Sequence, residues 1–180
     1  LLLRRASPGA GSWPVSVGVP FPRGALGSAD QVRLLGKRRA EIPAQVQTLA
    51  RWEDGSVRWA LLDFQADGQH DCTVEYGQEV TRTVPEDALD VVQSRTGITV
   101  TTGPLRVEFS KATSVLPGIV SHRQPDGSYR RLTPDSPSPA VTLTAGDGAV
   151  YRSGKPDAVL LEESGPERVC VRIDLTHHAR

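Results

Sequence analysis

The chain has 180 residues, a formal net charge of zero and a pI near 7.1. That neutrality leaves no electrostatic footprint for nucleic acid or an anionic membrane surface. The length allows one large β-domain or two small ones, and 38% hydrophobic residues suffice for packed cores.

Methionine is absent and the lysines are confined to Lys37, Lys111 and Lys155, which fits GC-rich coding. Residue 1 is therefore not a translation start, and the chain is expected to be processed or cut, its targeting signal gone. Leu1-Leu2-Leu3 is too short for a signal-peptide core or a membrane span.

In chain order, period-two alternation begins at Val15, Val17 and Val19 and predicts a half-buried strand. Gly18-Val19-Pro20-Phe21-Pro22-Arg23-Gly24 follows. Its prolines hold the backbone extended, and Gly24 permits a sharp exit. This sequence has two readings. Phe21 is a plug for one end of a barrel, or Phe21 and Arg23 form a rigid prong with the guanidinium offered to a carboxylate. The basic run Lys37-Arg38-Arg39, followed by Glu41, reads as a solvated loop, since no aromatic residue interleaves it.

Ile42–Phe64 reads as two strands joined at Asp54-Gly55, a hairpin signal for a two-residue type I′ turn. That register sets Trp52 opposite Val57, Ala50 opposite Trp59 and Thr48 opposite Leu61. Val46, Thr48, Ala50, Trp52, Val57, Trp59 and Leu61 then share one apolar face. Arg51, Glu53, Ser56 and Arg58 share the other, with Arg51 and Arg58 directly opposed. Of the tryptophans, Trp59 is expected inside and Trp52 partly exposed beside the turn; Trp13 adjoins a Gly-rich lead-in.

Further alternation recurs at Ile98 and Val100, at Leu105, Val107 and Phe109, at Val141 and Leu143, and from Val169 to Leu175. Asp67-Gly68, Asp126-Gly127 and Asp147-Gly148 repeat the turn signal. No window of eleven residues keeps helical spacing without Gly or Pro. The fold class expected is therefore all-β, of barrel or sandwich type. Val84–Ala88 could form one helical turn at a boundary between Pro85 and Thr96. An N-terminal module over 1–85 and a second β-module over 96–180 follow, the latter incomplete and carrying a Pro-rich loop over Thr133–Pro139.

Cys72 and Cys170 fall in different modules and read as two small apolar side chains rather than a disulfide. His70, His122, His177 and His178 lack ligand spacing, and the acids at the turns match no calcium loop. No metal or cofactor is expected. Tyr129 and Arg131 should share one strand face, with Arg130 on the other.

Three stretches carry a resemblance: PVSVGVPFPRGAL (Pro14–Leu26), VQTLARWEDGSVRWALLDF (Val46–Phe64) and TGPLRVEFSK (Thr102–Lys111). Together they resemble the YetA-like proteins and the exo-acting rhamnogalacturonan lyases of polysaccharide lyase family 26. The resemblance implies a small RIFT-type β-barrel over 1–85, part of a β-sandwich over 96–180, and a C-terminal α/α-toroid with no counterpart here. It also implies an extracellular or cell-surface location and an acidic, pectin-type polysaccharide as substrate.

Lyases of this kind need a base, a charge clamp on the uronate carboxylate and a proton donor in one cleft. Arg23, His122, Tyr129, Arg130, Arg131, Tyr151 and Arg152 are ingredients, but no motif gathers them. No catalytic residue is assigned, and the chain is expected to be inactive alone. Arg23, Trp52 and Phe21 are the carbohydrate-binding candidates. Expected partners are the missing toroid or neighbouring copies, and an acidic polysaccharide. The alternative is a stand-alone extracellular structural, self-assembling or carbohydrate-binding β-protein.

Overall fold

A computed structural model describes residues 2–3, 11–66, 71–83, 89–134 and 141–179. The turn expected at Asp67-Gly68, His70, the helical turn over Val84–Ala88 and most of the Pro-rich loop lie outside those residues. The described residues form β-strands, turns and two single 3-10 turns, Ala29–Gln31 and Lys37–Arg39. The chain divides into two compact units, Leu1–Glu86 with Pro166–Arg168, and Asp87–Gly165 with Val169–Arg180.

Among the described residues, unit 1 holds seven strands: β1 (Leu2–Leu3), β2 (Trp13–Pro20), β3 (Val32–Leu35), β4 (Glu41–Ile42), β5 (Ala44–Arg51), β6 (Val57–Ala66) and β7 (Cys72–Tyr76). They pair antiparallel in two sheets, ordered β1-β7-β3-β4 and β2-β6-β5. The alternation Val15, Val17, Val19 matches Phe64, Leu62 and Ala60 across the β2–β6 ladder. These side chains join Phe21, Leu26, Val32, Leu34, Val57, Cys72 and Val74 in one core cluster. Period-two patterning thus places the core.

The Asp-Gly reversal lies where the sequence predicts it, but its geometry differs. Gly55 N–H donates to Trp52 O at 2.9 Å and Trp52 N–H to Ser56 O at 2.8 Å. The loop is therefore Glu53-Asp54-Gly55, with Gly55 at φ 83°, the left-handed position of a three-residue hairpin. The extra residue slips the register by one. Arg51 pairs with Val57, Thr48 with Ala60 and Val46 with Leu62, while Ala50 opposite Trp59 is as expected.

Irregularities around Ala50 restore the faces. Val57 points inward, Arg58 and Trp59 are both exposed, and Ala60 turns inward again. Trp59, expected inside, is 40% exposed. Its ring lies over Gly18, where an added Cβ would sit 3.6 Å from the indole. Arg51 and Arg58 are not opposed; the Arg58 guanidinium stacks 4.7 Å from the Trp52 ring centroid. In the basic run, Arg39 pairs with Glu75 at 2.8 Å, beside Arg33 at 2.6 Å.

Unit 2 holds β8 (Asp90–Gln93), β9 (Gly97–Thr102), β10 (Leu105–Ser110), β11 (Ile119–Arg123), β12 (Tyr129–Arg131), β13 (Thr142–Thr144), β14 (Val150–Ser164) and β15 (Val169–Ala179). Five form a sheet ordered β12-β11-β10-β9-β8, and three form β13-β14-β15. Ile98 and Val100 of the first sheet share a core cluster with Val159 of the second, packed by Phe109, Leu161, Val171 and Ile173. This is the apolar layer that two facing sheets enclose. Gly97 is required where it stands: a Cβ there would meet Phe109 O at 2.3 Å. Leu143, whose spacing from Val141 marks an alternating strand, is 51% exposed on β13. No disulfide joins Cys72 and Cys170.

Leu62 is fully buried at the centre of β6, whereas Leu49, beside the register irregularity, is 53% exposed. Leu62→Ala should lower unfolding stability in urea by about 2–5 kcal/mol, and Leu49→Ala by less than about 0.5 kcal/mol.

Candidate functional site

The three candidate residues of unit 1 meet at one rim, built by the Phe21–Leu26 loop and the Trp52–Ser56 turn. The turn is organised by Asp54. Its Oδ1 accepts from Ser56 N–H at 3.0 Å and from Ser56 O–H at 2.6 Å, as aspartate does in tight turns. Ser56 Oγ in turn accepts from Gly24 N–H at 3.0 Å. Trp52 Nε1–H donates to Phe21 O at 3.1 Å, and Phe21 N–H to Arg58 O at 2.9 Å. Side chains and backbone thus lace the two loops together.

Phe21 occupies the position the plug reading requires. It is 3% exposed and meets Tyr76 edge-to-face, with ring centroids 5.0 Å apart. Arg23 projects from the rim, its Nε donating to Asp54 Oδ2 at 3.2 Å and its Nη2 4.0 Å from Glu53. The fork offered in the prong reading is therefore turned onto the chain's own acids. Trp52 is half-buried, with its N–H satisfied and the Arg58 guanidinium stacked on its ring. What remains is a fixed indole edge beside an exposed, exchangeable ion pair.

The Ser56 hydroxyl, then the Ser56 amide, and to a smaller degree Arg23 hold the Asp54 carboxyl below its usual range. Glu75 is likewise held low by Arg33 and then Arg39.

A second polar group in unit 1 was not singled out from sequence. On the face of β2-β6-β5 away from the core, Ser16, Asp63 and Gln45 lie in one cross-strand row. Ser16 O–H donates to Asp63 Oδ1, and the Arg168 guanidinium lies 3.7 Å from Asp63 Oδ2. Gln45 Oε1 accepts from the backbone N–H of Glu167 at 3.2 Å and of Arg168 at 3.0 Å. Burial pushes the Glu167 carboxyl up, and the Asp63 charge adds to that. Two carboxyls and a cation meet here, but Asp63 is only 3% exposed. The group serves to seat residues 166–168 and offers no open cleft to a substrate. Its one signal in the sequence is that Ser16, Gln45 and Asp63 each stand between two apolar neighbours in their strands.

The remaining ingredients of elimination chemistry lie in unit 2. His122 and Arg130 are cross-strand neighbours on β11 and β12, both exposed. Tyr129 and Arg131 share the opposite face, as expected, and Tyr151 and Arg152 stand on β14. Among the described residues, no group of three His, Cys, Asp or Glu side chains is placed to hold a metal ion. No helix there is long and apolar enough to cross a membrane.

Because Ser56 is the first cause of the low Asp54 pKa, Ser56→Ala should raise that pKa toward the ordinary aspartate value. The sign for stability follows. A depressed native pKa favours the fold above the unfolded-state pKa, and the gain is lost as pH falls through the native one. Carboxyl-carbon NMR titration of Asp54 in both proteins measures the shift, and Arg23→Gln should move it less.

Residues 3–78 match the family model of the PcRGLX-like N-terminal RIFT barrel domain. No curated protein matches the chain. The two-sheet, single-core arrangement of unit 1 and this match agree: residues 3–78 are a PcRGLX-like N-terminal RIFT barrel domain.

Proposed function

We propose that the chain is the non-catalytic, β-rich N-terminal part of a secreted polysaccharide lyase-like protein acting on rhamnogalacturonan or a related pectic polymer. In this reading the barrel spans 1–85 and a portion of a β-sandwich spans 96–180. Together they brace a catalytic toroid of the same polypeptide and line part of its substrate path. The observation that carries the proposal is the RIFT barrel match over residues 3–78. The rim adds to it: Arg23 and Trp52 sit on hydrogen-bonded loops that could meet an acidic sugar without backbone rearrangement. A uronate reaching Arg23 would compete with Asp54 and Glu53, exposed partners whose pairing is weak and screened by salt.

A second reading, an extracellular structural module that assembles with copies of itself, draws on the edges of the unit 2 sheets. In its sheet β15 pairs with β14 alone, so its other edge is open to a further strand among the described residues.

The test compares this 180-residue chain with a longer polypeptide carrying the toroid, each incubated with rhamnogalacturonan. The account expects the absorbance of an unsaturated uronate from the longer protein and none from this chain. Turnover by the chain alone would overturn the non-catalytic assignment. Silence from both, with concentration-dependent growth of the chain's hydrodynamic radius, would favour the self-assembling module.

A further inference from the structure

In unit 2, the face of the five-stranded sheet away from its core carries three arginines and a tyrosine within two cross-strand rows. In one row Arg106 of β10, Ser121 of β11 and Arg131 of β12 are in register. In the next, Arg123 is opposite Tyr129. Ser121 is small and 7% exposed, so it leaves room above it. Through that gap the Arg106 side chain crosses β11 diagonally and lays its guanidinium 3.8 Å from the Tyr129 ring centroid. Such stacking fixes the plane of the fork.

The Arg106 Nε is buried and has no hydrogen-bond partner among the described residues. A buried charged donor without an acceptor is costly, and is the exception that calls for a missing ligand or water. Arg131 is tied back to its own strand exit, donating from Nε to Thr133 Oγ1 at 3.2 Å and from Nη2 to Pro134 O at 2.7 Å. Arg123 is exposed, and among the described residues no carboxylate pairs with it or with Arg106. Like charges on neighbouring strands of one sheet face repel. Among the described residues, Arg106 and Arg123 therefore lack a counter-ion.

The geometry points to a carboxylate-binding site on this face, in which Arg106 and Arg123 hold the two oxygens of one carboxylate while Tyr129 orients the Arg106 fork. A planar, two-oxygen anion matches a fixed guanidinium better than a single-point acceptor does. The carboxylate could belong to a uronic acid residue of a glycan or to a free small acid, and the test separates them. The inference does not rest on the barrel rim: Arg23 and Trp52 belong to unit 1, and none of the four residues here does.

The experiment follows the Nε–H resonances of Arg106 and Arg123 by NMR in the 180-residue chain. The probes are trigalacturonate, its fully methyl-esterified form and sodium acetate. Trigalacturonate should shift both resonances saturably, and the neutral ester should leave them unmoved. Acetate matching the trimer in affinity would assign the site to small carboxylates. Weaker binding of acetate would assign it to a uronate.

Arg123→Gln, at an exposed position, should retain the fold and raise the Kd for trigalacturonate about tenfold or more, since a charge-assisted bond is lost. Arg106→Lys, which keeps the charge but not the fork, should weaken binding similarly. Arg23→Gln should leave these shifts unchanged. Equal shifts with the methyl ester, or a Kd unaltered in Arg123→Gln, would overturn the proposal. Neither result bears on the lyase assay, so the two readings fail separately.

Discussion

Unit 1 depends on β6 being an interior strand with both faces committed. Ala60, Leu62 and Phe64 face the core at 0%, 0% and 4% exposure, while Asp63 on the opposite face is buried at 3%. β2 and β5 flank it and satisfy its ladder on both edges. An interior strand with an apolar inner side and a covered carboxylate on the outer side fixes its own register. A shift by one would bring Asp63 into the core without a partner, at a cost of several kcal/mol. Ser16 and Arg168 meet the Asp63 carboxylate on the correct face only.

That constraint explains the hairpin. The Glu53-Asp54-Gly55 loop alone would carry its slipped register along both strands and turn Arg58 inward. Irregular pairing around Ala50 absorbs the difference, so Val57 and Ala60 are both buried with two exposed residues between them. Trp59 is left outside, its ring against Gly18. The laced rim at Phe21, Arg23 and Trp52 sits at the end of the same hairpin, and its rigidity derives from the turn chemistry of Asp54 and Ser56. Fold and candidate site thus share one element.

Much of this was legible in the residues. Alternation located β2, β9, β10 and β15, and Asp-Gly pairs located reversals. The Pro-flanked Phe21 reads as a plug and occupies the core. The register of β5 against β6 was not legible, because Asp-Gly serves both two- and three-residue loops and a bulge has no signature of its own. Trp59 was misplaced for that reason alone. The Asp63 cluster was hidden because it joins Ser16, Gln45 and Arg168, positions far apart in sequence that only the sheet order brings together. The shared face of Tyr129 and Arg131 follows from alternation. The diagonal reach of Arg106 does not, since it depends on a serine standing at the crossing point.

The central claim is that β6 holds unit 1 as a single cooperative frame. Native-state hydrogen exchange in low denaturant tests it most directly. The account predicts that the amides of residues 60–64 exchange only through global unfolding of unit 1, with the largest denaturant dependence in that unit. Exchange of those amides through a smaller opening, while β3 and β7 remain protected, would contradict it.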